Sequence, residues 1–344
     1  MDKNIIDFSN FGLKHPFLVY DIWDYFLDKT KKSTRKIPSH YPEIFEDMGI
    51  KSAFDFFITF KDIYSINESD ETSYISYKTV DKICNILCEH DYFLKQDMGI
   101  PSLDGGFNYY VGFKETGTNK KILSRHKDNK MVISYILNCV VYGFKYIYEL
   151  NKKNVLPMYV KKNDSLYIGT CFKTVHGIVT AKHCISNTKS IQIGGITKEE
   201  LFDCNILTKD NLDLVIIQLN KSINLENYIL TSNCFILDEI MVMGYPSHSG
   251  FDNFITATIG SIAAIEKSYL TKYDLMLLTS KVKGGNSGGP VFNNQGYVVG
   301  VVTETPNPKG EGYDQFGYGL AMPQYYIEEI IKSGKKLDEK INFE

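Results

Sequence analysis

Gly285-Asn286-Ser287-Gly288-Gly289-Pro290 places a serine in a glycine-rich turn, with the strand-like run Val291-Phe292 directly after it. A serine hydroxyl is a poor nucleophile near neutral pH. It needs a base to take its proton and backbone donors for the oxyanion that its attack creates. Glycines ahead of the serine let the amides of Gly285 and Ser287 point into one small space, and those behind it leave room for an acyl group. Two partners lie upstream. The run Gly177-Ile178-Val179-Thr180-Ala181-Lys182-His183-Cys184 is an apolar strand that ends in a small residue and a histidine. Asp213 opens a second apolar strand, Leu214–Leu219. A base held in one tautomer requires a fixed carboxylate, and an Asp anchored at a strand edge suits that role. His183 is preferred to His176, read as a solvated turn residue, and to the distant His248. Asp213 is preferred to Asp210, which belongs to the turn 209–211.

Chain order separates the fold families that use such residues. The pentad Gly285–Gly289 also fits the G-x-S-x-G pattern of α/β-hydrolases, in which the histidine follows the serine. Here the last histidine is His248, so that reading fails. Subtilisin-type enzymes run Asp, His, Ser, whereas His183, Asp213 and Ser287 follow the chymotrypsin order.

Residues from about 155 to 335 resemble a trypsin-like (chymotrypsin-fold) serine protease of the HtrA-type and glutamyl endopeptidase variety. The motifs that carry the likeness stand in order: Ile168-Gly169-Thr170-Cys171-Phe172, Thr180–Cys184, Asp213–Ile216, Met243-Gly244-Tyr245-Pro246, Gly285–Pro290, Val299–Thr303, and Gly319–Pro323 followed by Gln324–Ser333. The resemblance implies an all-β double barrel with a C-terminal helix, and a triad of His183, Asp213 and Ser287. It implies an oxyanion hole from the amides of Gly285 and Ser287. It also implies a substrate pocket with Lys281 near its floor and Thr303 and Gly319 on its walls, with Glu304 and Thr305 at the rim. A Lys281 in that floor would favour an acidic side chain; the alternative is that the loop differs and Lys281 faces solvent. Two departures are informative. Asn286 stands where trypsin has the Asp that pairs with a newly freed N-terminus, so activation by that route is not expected. Secreted trypsins join the Cys after the base to a Cys fifteen residues before it; here that position is Ile168, which leaves Cys184 without its usual partner.

The chain has 344 residues, 43% hydrophobic and 23% charged, with net charge −3. That is enough for two domains with sizeable cores, and it gives no global attraction to nucleic acid or anionic membrane. The start Met1-Asp2-Lys3-Asn4-Ile5 lacks the basic region and apolar run of a signal peptide. No stretch reads as the roughly 18 apolar residues of a membrane helix. Seven cysteines without framework spacing fit a reducing compartment, so a cytoplasmic location is expected. Cys84, Cys88 and His90 lie close in sequence, but a closed zinc site needs four ligands; buried free thiols are expected instead, and no metal or organic cofactor. Cys171 and Cys184 could meet on neighbouring strands as a regulatory disulfide, with free thiols the expected state.

Two domains are expected, 1–150 and 155–344, joined by the polar linker Asn151–Asn154. The first reads as mainly helical. Helical spacing runs through His15–Lys32, Ala53–Ile63 and Lys78–His90. Tyr92–Lys95 and Phe107–Phe113 then read as a hairpin, giving the order of a winged helix. Residues 1–150 hold 19 Lys/Arg against 21 Asp/Glu, a poor balance for neutralising phosphates, so a protein-docking or regulatory module is expected rather than a DNA binder. Lys130–Glu149 reads as a long apolar helix that docks on a partner surface. From Met158 onward, short apolar runs alternate with turn residues, the pattern of paired barrels. The sum is an intracellular serine endopeptidase controlled or recruited by its N-terminal domain, as in proteases of bacterial stress and antiviral defence. The alternative is a catalytically silent trypsin-like peptide-binding module joined to a winged-helix regulator.

Overall fold

A computed structural model describes residues 8–27, 56, 60, 63–64, 77–101, 107–115, 129–219, 234–247, 254–269, 271–303, 317–337 and 341–343. The chain divides into two compact units, Met1–Tyr146 and Ile147–Glu344.

In the first unit, helix Leu18–Leu27 lies within the stretch expected to be helical, His15–Lys32, and a further helix, Phe8–Lys14, precedes it. Pro16 lies at the break, where a residue without a backbone N–H cannot continue the hydrogen-bond ladder. The second helix buries Leu18, Val19, Ile22, Tyr25 and Phe26, the i, i+1, i+4, i+7, i+8 face of an amphipathic helix. Helix Tyr77–Glu89 buries Val80, Ile83, Cys84 and Leu87 in the same way. The hairpin that follows pairs β1 (Phe93–Pro101) with β2 (Phe107–Glu115) antiparallel, from Phe93↔Glu115 to Pro101↔Phe107. Residues 28–32 and most of Ala53–Ile63 lie outside the described residues, so the three-helix packing of a winged helix is not part of what the fold displays.

Helix Lys130–Asn151 breaks its φ/ψ pattern at Gly143 (φ 69°, ψ −164°). By length and composition it could cross a membrane, contrary to the sequence reading, but 72% of its most apolar window is buried inside the protein. Two contacts of this helix are made within the first unit. Asn138 Nδ2 donates to the Pro16 carbonyl at 2.7 Å, and the Tyr142 ring fills the space left by Gly12, where a Cβ would stand 2.3 Å from the ring.

Among the described residues, the second unit holds strands, two small helical turns and a nine-residue helix, Tyr325–Ser333. Its strands are β3 (Val155–Lys162), β4 (Ser165–Thr174), β5 (Gly177–Thr180), β6 (Ser190–Ile193), β7 (Asn205–Thr208), β8 (Val215–Gln218), β9 (Glu239–Gly244), β10 (Thr256–Lys267), β11 (Asp274–Leu278), β12 (Pro290–Asn293), β13 (Val298–Val302), β14 (Gly319–Pro323) and β15 (Lys335–Lys336). One sheet runs β15-β7-β8-β5-β4-β3-β6, and β10-β11-β14-β13-β12-β9 close into a barrel. The expected pair of barrels is thus one closed barrel and one seven-stranded sheet. Met158, Cys171, Ile178, Ile191, Ile193, Val215 and Ile217 form the core of the sheet. Val291, Phe292, Val298, Val299 and Val301 are buried in the barrel. These runs are apolar at nearly every position because both faces of the strands are covered. Helix Tyr325–Ser333 closes the unit with Tyr326, Ile327 and Ile330 buried.

Candidate active site

His183 follows β5 on a single helical turn, Lys182–Ile185. Asp213 lies two residues ahead of β8, just after Asn211 turns the chain in the left-handed region (φ 65°). Because β5 and β8 are paired partners, with Thr180 opposite Val215, the end of one strand and the start of the other meet. The Asp213 carboxylate then grips His183 twice. Oδ1 accepts from the His183 backbone N–H at 2.8 Å and Oδ2 lies 2.7 Å from Nδ1. A third donor is the Thr303 hydroxyl, which bonds to Oδ2. With the Nδ1 proton held by the carboxylate, Nε2 is the nitrogen left to accept a proton. Burial of the ring opposes its charge, yet the bond to Asp213 and the neighbouring Cys184 outweigh it and raise His183 from 6.5 to about 10. Asp210 is exposed and pairs with Lys335 at 3.5 Å; His176 is exposed in its turn.

Three amides of the turn around Ser287 are bonded to backbone carbonyls of the turn and of β13. Asn286 N–H donates to the Lys283 carbonyl at 3.0 Å, Gly288 N–H to Val302 at 2.8 Å and Gly289 N–H to Asn286 at 2.9 Å. Among the described residues, the N–H groups of Gly285 and Ser287 have no acceptor. These are the two amides expected above for an oxyanion hole. Two glycines have no substitute here. Gly285 (φ 98°) would place a Cβ 2.3 Å from the Tyr245 carbonyl, and Gly288 (φ 85°) 2.1 Å from the Thr170 carbonyl.

Thr170 on β4, quoted only within a strand motif above, ties this turn to the rest of the site. Its N–H donates to the Ser287 carbonyl at 2.9 Å. Its hydroxyl donates to the Gly285 carbonyl at 2.7 Å and accepts from Tyr245 N–H at 2.9 Å. The Thr180 hydroxyl bonds to the Thr170 carbonyl at 2.8 Å. Its position between Gly169 and Cys171 was the available signal, a small polar residue in a buried strand.

The structure thus brings His183, Asp213, Thr303 and the Ser287 turn together. Cys184 Sγ lies 3.5 Å from His183 Nε2 and 3.7 Å from the Ser287 carbonyl. Gly319 is buried, and a Cβ there would stand 2.4 Å from a Val282 methyl. Lys281 is exposed, and its carbonyl accepts from the Thr258 hydroxyl at 3.2 Å. Glu304, Thr305 and His248 lie outside the described residues. All seven cysteines are free, including Cys171 and Cys184. Among the described residues no group of three or more His, Cys, Asp or Glu could hold a metal ion.

Residues 169–301 match the family model of the trypsin-like peptidase domain. Over that stretch the second unit is similar to the trypsin-like peptidase domain. Serine protease HtrA-like proteins of Staphylococcus aureus, strains bovine RF122 / ET3-1 and USA300, are each 28% identical over 189 residues, covering 51% of this chain and 22% of the relative. The chain therefore spans about a fifth of the length of those relatives. Two solved structures are similar over about half of the chain. The HtrA-type protease AlgW with tripeptide is 20% identical over 54% of this chain and 62% of that one, with TM-score 0.43. A protease from M. tuberculosis in its active form is 16% identical over 56% and 86%, with TM-score 0.44.

Proposed function

We propose that the chain is a serine endopeptidase that cleaves peptide bonds through an acyl-enzyme. The observation that carries this reading is a histidine whose ring Nδ1 and backbone N–H are both held by one carboxylate, beside a serine turn that, among the described residues, leaves two amides without acceptors. Ser287 Oγ attacks the scissile carbonyl while its proton passes to Nε2 of His183. The tetrahedral oxygen, now negative, takes the N–H groups of Gly285 and Ser287. As the C–N bond breaks, His183 returns the proton to the leaving amine. Water then repeats the sequence on the ester, using the same base, and frees Ser287 and the carboxyl product. Asp213 orients the ring and supports its positive charge, and Thr303 holds Asp213. In this reading residues 1–146 control or recruit for the peptidase in the cytoplasm, as in stress or defence proteases.

A fluorophosphonate probe tests the chemistry. The full chain should be labelled at Ser287, and peptide cleavage should fall by on the order of 10⁴ or more in Ser287→Ala and in His183→Ala, as when a cooperating set of catalytic groups loses one member. Cleavage retained in both purified, folded variants would refute the assignment. An unlabelled Ser287 in the folded parent would favour the silent peptide-binding alternative.

A further inference from the structure

Cys184 follows the base in sequence, and the fold turns its thiol back onto the base's working nitrogen. Sγ is 3.5 Å from His183 Nε2 and 3.7 Å from the Ser287 carbonyl oxygen. The residue is 8% exposed. Gly169 gives the thiol its room, since a Cβ there would stand 3.3 Å from Sγ. A thiol has one proton to donate and weakly accepting lone pairs. When the S–H points to the Ser287 carbonyl, the lone pairs face Nε2 and accept from Nε2–H of a charged ring. When the ring is neutral, Nε2 is itself an acceptor and competes with that carbonyl for the single S–H. The thiol therefore favours the charged ring.

Other groups face His183 from each neighbouring element. Asp213, ahead of β8, holds Nδ1. Lys162 on β3 donates to the His183 carbonyl at 2.7 Å. Lys182 adjoins it in the chain, Thr303 reaches it through Asp213, and Cys171 on β4 is buried in the same core cluster as Cys184. Of these, Cys184 sits at the nitrogen that must take the serine proton.

Resting on the peptidase reading above, we propose that Cys184 is a positioning residue for the base: it engages Nε2 of His183 in the resting site and so sets the pH at which that nitrogen becomes free for Ser287. The contribution of Cys184 to the raised proton affinity of His183 points the same way.

The test follows the His183 ring-proton resonance by NMR across pH in the full chain carrying Ser287→Ala, so that it needs no catalysis. Cys184→Ala and Cys184→Val both remove the acceptor, and the valine keeps most of the volume should the alanine variant fail to fold. Their midpoints should fall by roughly one pH unit, the scale of losing one hydrogen bond to a charged group. Cys184→Ser, which retains an acceptor, should stay near the parent. With Ser287 restored, the acid limb of kcat/KM on a peptide should move in the same direction while KM holds. A His183 midpoint unchanged or raised in the folded alanine or valine variant overturns the proposal. A parent that cleaves no peptide refutes the peptidase reading instead, and the resonance still decides the role of the thiol.

Discussion

Asp213 is a small residue with three donors directed at one carboxylate, and that concentration explains the behaviour expected of His183. The ring is 24% exposed and its partner 16%, so neither is screened as a surface pair would be. With a folded value near 10 against an ordinary 6.5, His183 keeps its proton through neutral pH. A base must first lose that proton, so kcat/KM should climb with pH along an acid limb centred well above 6.5. Stability runs the other way. A group whose folded value is raised contributes stability that is fully present below its unfolded value and lost as pH rises through its folded one. The contribution should be complete below pH 6.5 and fade toward pH 10. Rate profiles and urea midpoints over this range check both; an acid limb centred at or below 6.5 would contradict the geometry. Thr303 tests the same carboxylate from the other side. Thr303→Val keeps the shape but leaves Asp213 one donor short in a buried place, which should cost about 1–3 kcal/mol of stability.

At the scale of elements, the site is a meeting of strand ends. β5 delivers His183, the turn before β8 delivers Asp213, and the turn before β12 delivers Ser287. All three runs were legible because each is a short block of fully buried apolar residues bounded by turn signals, such as Leu214–Ile217 at 0% exposure. Other elements left weaker traces. The second half of β1, Gln96–Pro101, holds Asp, Gly and Pro, weak strand formers, yet pairs with β2 to its end. β15 is two lysines that pair with β7, a contact no local pattern encodes. The role of Thr170 was equally hidden, since its partners lie 75 and 115 residues away. Of the winged-helix expectation, the helix Tyr77–Glu89 and the hairpin are present, while the remaining helices fall largely on residues outside the described set. The turn before β12 also supplies a matched pair of substitutions. Gly288→Ala would press a Cβ to 2.1 Å from the Thr170 carbonyl at φ 85°, whereas Gly284→Ala meets nothing within 4 Å. Strain of this kind costs roughly 1–3 kcal/mol for the dihedral alone, and backbone on backbone cannot relax cheaply. Gly288→Ala should lose stability by at least that amount in urea unfolding and lose nearly all activity, while Gly284→Ala should unfold with the parent. Equal midpoints for the two variants would mean that the turn does not hold the positive φ described.

At the scale of the whole molecule, two units with separate cores share one chain, and the boundary falls within the helix Lys130–Asn151, just past Gly143. The second unit holds every residue assigned to the chemistry, from Thr170 to Gly319. It also closes its own N-terminal end. Asn154 N–H donates to the Asn151 carbonyl at 2.8 Å, and Lys173 N–H donates to the Asn154 carbonyl at 2.9 Å. A chain beginning at Ile147 should therefore fold and keep its triad geometry, and an N-terminal tag should not impair it, because Asn286 offers no buried anion for a freed ammonium group. What the first unit adds can be separated by substrate size. A small peptide ester needs no recruitment, so it reports only on the state of the site. One unit can bias another only if some contact differs between an active and an inactive form. Removal of residues 1–146 should then change kcat on the ester, upward if the first unit restrains the second, and cutting the chain at the boundary while retaining both halves should do the same. Equal kcat and KM for the full and shortened chains would leave the first unit as a tether for protein substrates, with its effect confined to large ones.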